Sequence, residues 1–308
     1  MVGSERDLAI WPIQTEIIKD GSMALNIVLL VLASAALHPV WNLLVKKNPD
    51  PQLGFLFLTA VIALSALVHG LIAGADFTAV FSVLPFVGLS VCGQLLYGIC
   101  LTATLKRGDL SAYYPIIRAS PVFVVIVGVL LLGQTYSPIL LLGIALAVAG
   151  AFLLLYRRGT RFLEDPRTLV LAVLAMSGTG IYSLSDARLM ESIAPQVLVF
   201  VVDGLVFPIH AILWFRRRAR GLVPAVKAGD FSLTYLLLPG IICYASYYLI
   251  LLAYQFGGDV AAVTSIRQAS IPISVALGGL FLREGAMLRR FFAAGLLALG
   301  IIVIALYG

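Results

Sequence analysis

Apolar stretches of about twenty residues recur along the chain, each closed by a short polar break. Their extents are roughly 24–45, 53–73, 83–105, 110–132, 137–156, 168–189, 196–215, 233–256, 260–282 and 288–307. A helix of that length spans a hydrocarbon core of about 30 Å and satisfies its own backbone there. Pro49-Asp50-Pro51, Gly74-Ala75-Asp76, Ser137-Pro138 and Glu164-Asp165-Pro166 read as breaks between helices. The longest polar link runs from Arg216 to Asp230. The pattern predicts an all-α integral membrane protein with ten transmembrane helices. Residues 1–22 form an N-terminal tail with no basic leader and no long apolar core, so no secretory signal is expected. Within it, Leu8 to Ile18 with Trp11 either rests at the interface or belongs to a disordered tail, or to an upstream start, before Met23.

Composition agrees with the pattern. The 308 residues are 61% hydrophobic and 12% charged, against about 25% charged in a soluble domain; mean hydropathy is +1.04. The net charge of +6 does not point to nucleic acid, because the basic residues sit in the breaks. Cys92, Cys100 and Cys243 fall within spans without metal-ligand spacing and read as apolar filler. No metal or cofactor is expected.

The chain also repeats itself. Gly108-Asp109-Leu110-Ser111-Ala112-Tyr113-Tyr114-Pro115-Ile116-Ile117-Arg118-Ala119-Ser120 returns as Gly258-Asp259-Val260-Ala261-Ala262-Val263-Thr264-Ser265-Ile266-Arg267-Gln268-Ala269-Ser270. The offset, 259 − 109 = 150, persists through Gly128 and Gly278, Leu132 and Leu282, and Gly150 and Gly300. Residues 23–157 and 158–308 are therefore expected to be two five-helix repeats. Five is odd, so the second copy enters the membrane inverted. Inverted repeats mark alternating-access transporters with a midplane site between the halves.

Lys46, Lys47, Lys106, Arg107, Arg157, Arg158, Arg161, Arg167, Arg216, Arg217, Arg218, Arg220, Lys227, Arg283, Arg289 and Arg290 follow the odd-numbered spans. The other side holds Arg6, Lys19 and Arg188. The positive-inside rule makes the odd-numbered loops cytoplasmic and puts both termini outside.

Arg118 lies nine residues beyond Asp109 and Arg267 eight beyond Asp259. At about 1.5 Å per residue each reaches roughly 12–13 Å into its span, close to the midplane. Such an arginine costs about 2.5–3.5 kcal/mol on insertion scales and should face the interior. Either the pair anchors a carboxylate or phosphate, which suits a guanidinium fork, or each ties helices together.

Other polar candidates cluster in a few spans. His38, Trp41 and Asn42 lie within one turn of the first span, beside Pro39. They form either a polar wall of the site, with His38 able to titrate, or interhelical hydrogen bonds. Tyr182 and Asp186 repeat that spacing, since 182 − 38 equals 186 − 42. Asp186 is a proton site, an arginine partner, or an interfacial residue beside Arg188. Asp203 and His210 are two turns apart, and Asp203 is a further candidate for proton coupling. Gln94, Tyr97, Tyr244, Tyr247 and Tyr248 offer amide and aromatic groups to a lumen. Gly143, Ala147, Gly150, Gly295 and Gly300 permit close helix approach, within a monomer or in a homodimer. Glu284 beside Arg283 reads as structural.

The chain resembles the ten-span EamA-type proteins of the drug/metabolite transporter superfamily. His38-Pro39-Val40-Trp41-Asn42 with Lys46, Tyr114-Pro115-Ile116-Ile117-Arg118, Ser265-Ile266-Arg267-Gln268-Ala269-Ser270 and Glu284 carry the resemblance, which covers about residues 23 to 307. Where the family often has Gly-Glu, this chain has Gly133-Gln134, so no glutamate role transfers. The resemblance implies a ten-helix basket around a central cavity, walled by spans 1, 3, 4, 6, 8 and 9. It also implies export or exchange of small metabolites such as amino acids, and it adds Tyr114 and Gln268 to the candidate substrate-binding set.

The expectation is a secondary transporter of a small anionic or zwitterionic metabolite in a bacterial inner membrane. A flippase for a lipid-linked sugar or phosphate is the alternative. A membrane transferase is disfavoured, because the chain has no Asp-rich motif and no His-Glu-x-x-His.

Overall fold

The computed structural model describes residues 23–46, 51–107, 110–156, 165–222, 232–279 and 287–307. All regular structure among them is helical. The first half contains α1 (Leu25–Lys46), α2 (Pro51–Ile72), α3 (Leu84–Arg107), α4 (Leu110–Ile117), α5 (Ser120–Leu132) and α6 (Pro138–Leu155), with a 3-10 turn at Phe77–Ser82. The second half contains α7 (Pro166–Leu189), α8 (Pro195–Ala219), α9 (Leu233–Gln255), α10 (Val260–Ile266), α11 (Ser270–Gly279) and α12 (Met287–Tyr307). A 3-10 segment, Arg267–Ala269, joins α10 to α11. Eight stretches among the described residues are long and apolar enough to cross a membrane, counting Tyr113–Leu132 as one; Phe291–Tyr307 is a shorter apolar helix. Asp109, Glu284 and the tail 1–22 lie outside the described residues.

Helix starts follow local chemistry. Ser137 and Asp165 accept hydrogen bonds from the first free amides of α6 and α7. Pro138, Pro166 and Pro195 open their helices where no amide is needed. Large apolar side chains such as Leu71, Ile72, Leu130 and Leu131 point outward. A hydrocarbon solvent accommodates such a surface.

The helices pack most extensively in four pairs: α3 with α7, α6 with α12, α1 with α9, and α2 with α8. Small residues set the spacing. On α3, a Cβ at Gly93 would lie 2.7 Å from the Tyr182 amide nitrogen, and one at Gly178 would lie 2.6 Å from that of Tyr97. The α1–α9 crossing uses Ser34 and Ser246, whose hydroxyls lie 3.0 Å apart. Ser34 and Gly178 hold matching positions in their helices, since 178 − 34 = 182 − 38 = 144. Gly143, Ala147, Gly150 and Gly300 bring α6 and α12 together within the chain, while Gly295 has open space before it. That assigns four of these five small residues to packing inside the monomer.

Chain ends and connections meet in defined places. The Met23 amide donates to the Ala305 carbonyl at 3.2 Å, and Gly258 lies against Ile27. Gly70 meets Phe77 and Gln196. Elsewhere, Tyr113 Oη donates to the Asp165 carbonyl at 3.5 Å, bringing the starts of α4 and α7 together.

Candidate functional site

The stretches around Arg118 and Arg267 are not continuous helices, contrary to the pattern expected over 110–132 and 260–282. Each breaks at its arginine: Arg118 sits between α4 and α5, and Arg267 opens the 3-10 segment. Proline is the physical reason. Pro121 and Pro272 fall in the first turns of α5 and α11, where neither can donate to the carbonyl four residues back. The ladder tightens instead, with the Ala119 amide donating to Ile116 and the Val122 amide to Ala119.

The breaks interlock. Gln268 Nε2 donates to the carbonyl of Arg118 at 2.6 Å, which the interrupted ladder leaves without an amide partner. Arg118 Nη2 donates to Ser270 Oγ at 2.7 Å, and Ser270 Oγ donates to the carbonyl of Arg267 at 3.0 Å. Gln268 holds the position that matches Arg118, since 268 − 118 = 150.

The two guanidinium groups have different surroundings. Arg267 lies among Tyr182, Tyr247 and Tyr254, whose phenol oxygens can accept from it. Tyr182 contacts Tyr97 at 6.3 Å and Tyr247 at 6.4 Å between ring centroids. His38 and Tyr97 lie within electrostatic reach of both arginines, and Trp41 stands edge-on to His38 at 5.0 Å. Neither arginine forms an ion pair with a carboxylate among the described residues. Trp41 Nε1, Arg118 Nε and Gln268 Oε1 are buried without a hydrogen-bond partner. The result is a cationic centre with unpaired donors and one unpaired acceptor.

Asp186 belongs to this centre rather than to an interface beside Arg188. It is 1% exposed and accepts hydrogen bonds from Ser90 and Tyr247. Arg188 pairs instead with Glu191 and lies over Phe86. Asp203 is also buried and lies within electrostatic reach of Asp186. His210 sits further along α8, near Gly98.

The remaining candidates are placed as follows. Tyr114 is half-buried on α4 within reach of Tyr97. Gln94 is half-buried on α3. Asn42 donates to the His38 carbonyl of its own helix at 3.0 Å. Tyr244 accepts or donates at 2.6 Å to Nδ1 of His69 and packs beside Tyr248, in a group of its own. His69 was missed in the sequence, although a histidine inside an apolar span is a visible signal. Ser90 and Tyr254 carried no such signal. Among the described residues no three His, Cys, Asp or Glu side chains converge on a metal position.

Beyond the spans, the side-chain hydroxyl of Thr168 and the amides at the start of α7 hold the Asp165 carboxyl below the ordinary carboxylate range.

Comparison with known proteins gives this geometry its context. No curated protein matches the chain. A solved structure described only as "Crystal structure of protein" superposes with a TM-score of 0.74 at 16% identity, covering 91% of this chain and 97% of its own. At that identity the likeness shows a shared fold alone. Residues 21–156, from just before α1 to just after α6, match the model of the EamA-like transporter family. Over that first part the chain is similar to the EamA-like transporters of the drug/metabolite transporter superfamily, and its long apolar helices are those of a multi-pass membrane protein.

Proposed function

We propose that the protein is a secondary transporter of a small anionic or zwitterionic metabolite, working by alternating access between inverted repeats 23–157 and 158–308. The observation that carries the substrate class is the pair of broken-helix arginines without carboxylate partners, set among unpaired buried polar atoms. A guanidinium in such a place is an anchor awaiting its anion. Arg118, Arg267, His38, Trp41, Tyr97, Tyr182 and Gln268 form the first contacts in this reading.

Several contacts support the repeat architecture. The α1–α9 and α3–α7 pairs are images of one another under exchange of the halves, and the α2–α8 and α6–α12 pairs map onto themselves. The Met23–Ala305 contact suits an even number of crossings. The basic residues after odd-numbered spans put both termini on the non-cytoplasmic side.

The test is thermal stabilisation of the purified protein by amino acids, organic acids and phosphorylated metabolites, with wild type beside Arg118→Gln and Arg267→Gln. An anion that stabilises wild type should lose its shift in folded Arg267→Gln and show a smaller shift in folded Arg118→Gln. Equal stabilisation of all three by the same compound would make the arginines structural and end the anion reading.

A further inference from the structure

Asp186 is a buried carboxylate that anion anchoring alone does not use. Its two hydrogen-bond partners, Ser90 Oγ at 2.5 Å and Tyr247 Oη, are both hydroxyls. A hydroxyl donates to a carboxylate and accepts from a carboxylic acid by rotating its hydrogen. The pocket around Asp186 therefore accommodates either protonation state without moving a heavy atom, which an arginine or lysine partner would not allow. Tyr247 also lies within electrostatic reach of Arg267.

The charges around Asp186 are few. From α8 comes Asp203, from α9 Tyr247 and Tyr254, and from the segment after α10 Arg267. Neither α5 nor α10 contains a titratable residue, and α4 brings Tyr113 and Tyr114. On α3, Ser90 makes the contact and Tyr97 lies two turns further along. Within this set Arg267 is the one full positive charge, and it lies within electrostatic reach of Asp186.

We propose that Asp186 is a proton-binding site filled together with the anion, so that substrate and proton cross the membrane in the same direction. This rests on Arg267 being an anion anchor. In the empty site Asp186 balances Arg267 across a medium of low dielectric constant. An incoming anion takes over that arginine and leaves a buried carboxylate uncompensated, which a water-excluded site does not tolerate. A proton from the aqueous compartment to which the site is open restores the balance. It returns to water on the other side when the anion leaves.

Infrared difference spectroscopy on the full-length purified protein tests this through the carbonyl band of a protonated carboxyl. The band assigned to Asp186 disappears in Asp186→Asn and moves in frequency in Tyr247→Phe; the second variant keeps the assignment available if the first does not fold. Without any ligand, Arg267→Gln should carry a larger protonated fraction at Asp186 than wild type at the same pH. Succinate added to wild type should raise the band and draw a proton from weakly buffered solution, whereas Asp186→Asn should bind succinate without proton uptake. An Asp186 band unchanged by Arg267→Gln, or a responsive band lost in Asp203→Asn instead, overturns the proposal. If succinate fails to bind while Arg267→Gln still raises the band, the proton site stands and the fault lies with the anion reading.

Discussion

The two arginine breaks lie in stretches of similar sequence, yet their surroundings differ. At Arg118 the guanidinium is held by Ser270, and the backbone carbonyl by Gln268, both from the other half. At Arg267 the guanidinium lies among tyrosines instead. A shift of one residue separates the roles: the position matching Arg118 holds Gln268, and Arg267 precedes it. Both stretches keep a break at the arginine, but one guanidinium is held by a hydroxyl of the other half and the other lies among phenols.

The sharpest way to break that comparison is to remove each charge. Arg267→Gln should weaken binding of a stabilising anion by about 2–5 kcal/mol, the cost of losing one partner of a buried charge pair. Arg118→Gln should lose less binding and more thermal stability, because it also releases Ser270. Equal losses in both variants, measured by titration calorimetry and melting, would erase the distinction.

The image-related helix crossings offer a second test. Gly178→Val forces a side chain into the backbone of α3 and should lower stability by about 1–3 kcal/mol or more. Ser34→Ala, at the matching position, should cost about 1 kcal/mol through its lost hydrogen bond. Melting midpoints in one detergent compare the two.

Gln268→Ala should cost about 1–3 kcal/mol by leaving the Arg118 carbonyl unpaired. Gln268→Glu keeps the size but offers no amide donor when ionised, and should recover little of the loss. A variant as stable as wild type would show that the halves are not tied there.

The smallest effect concerns Asp165, far from either arginine. Its folded carboxyl titrates below the unfolded value, so its contribution is present above the unfolded value near 3.8 and is lost as pH falls through the folded one. Asp165→Ala should lower the melting midpoint slightly at neutral pH, with wild type and variant converging in acid.

Much of the fold was legible because the spans are written in a code of length and hydropathy. The expected extents 24–45, 137–156 and 233–256 differ from α1, α6 and α9 by a residue or so. The broken stretches were less legible, although Pro121 and Pro272 stood in plain view. A proline a few residues past a charged one signals a break only when the carbonyls left over find partners, and for Arg118 that partner came from 150 residues away. Of the side chains that meet in the cationic centre, both arginines, His38 and Tyr182 were identifiable because a polar group inside an apolar run is conspicuous. Ser90 and Tyr254 were not, since serine and tyrosine are ordinary residues in such helices.

The sequence by itself determined that this is a helical membrane protein, where its apolar stretches begin and end, and that two similar stretches each carry an arginine. Hydrophobic runs and repeat offsets are properties of the chain, and burial in lipid depends on little else. Tertiary structure decided that Asp186 lies buried against Ser90 and Tyr247, that the glycines of α6 serve α12, and that the two arginines part company. Those outcomes depend on which residue of a distant helix occupies the neighbouring few ångströms.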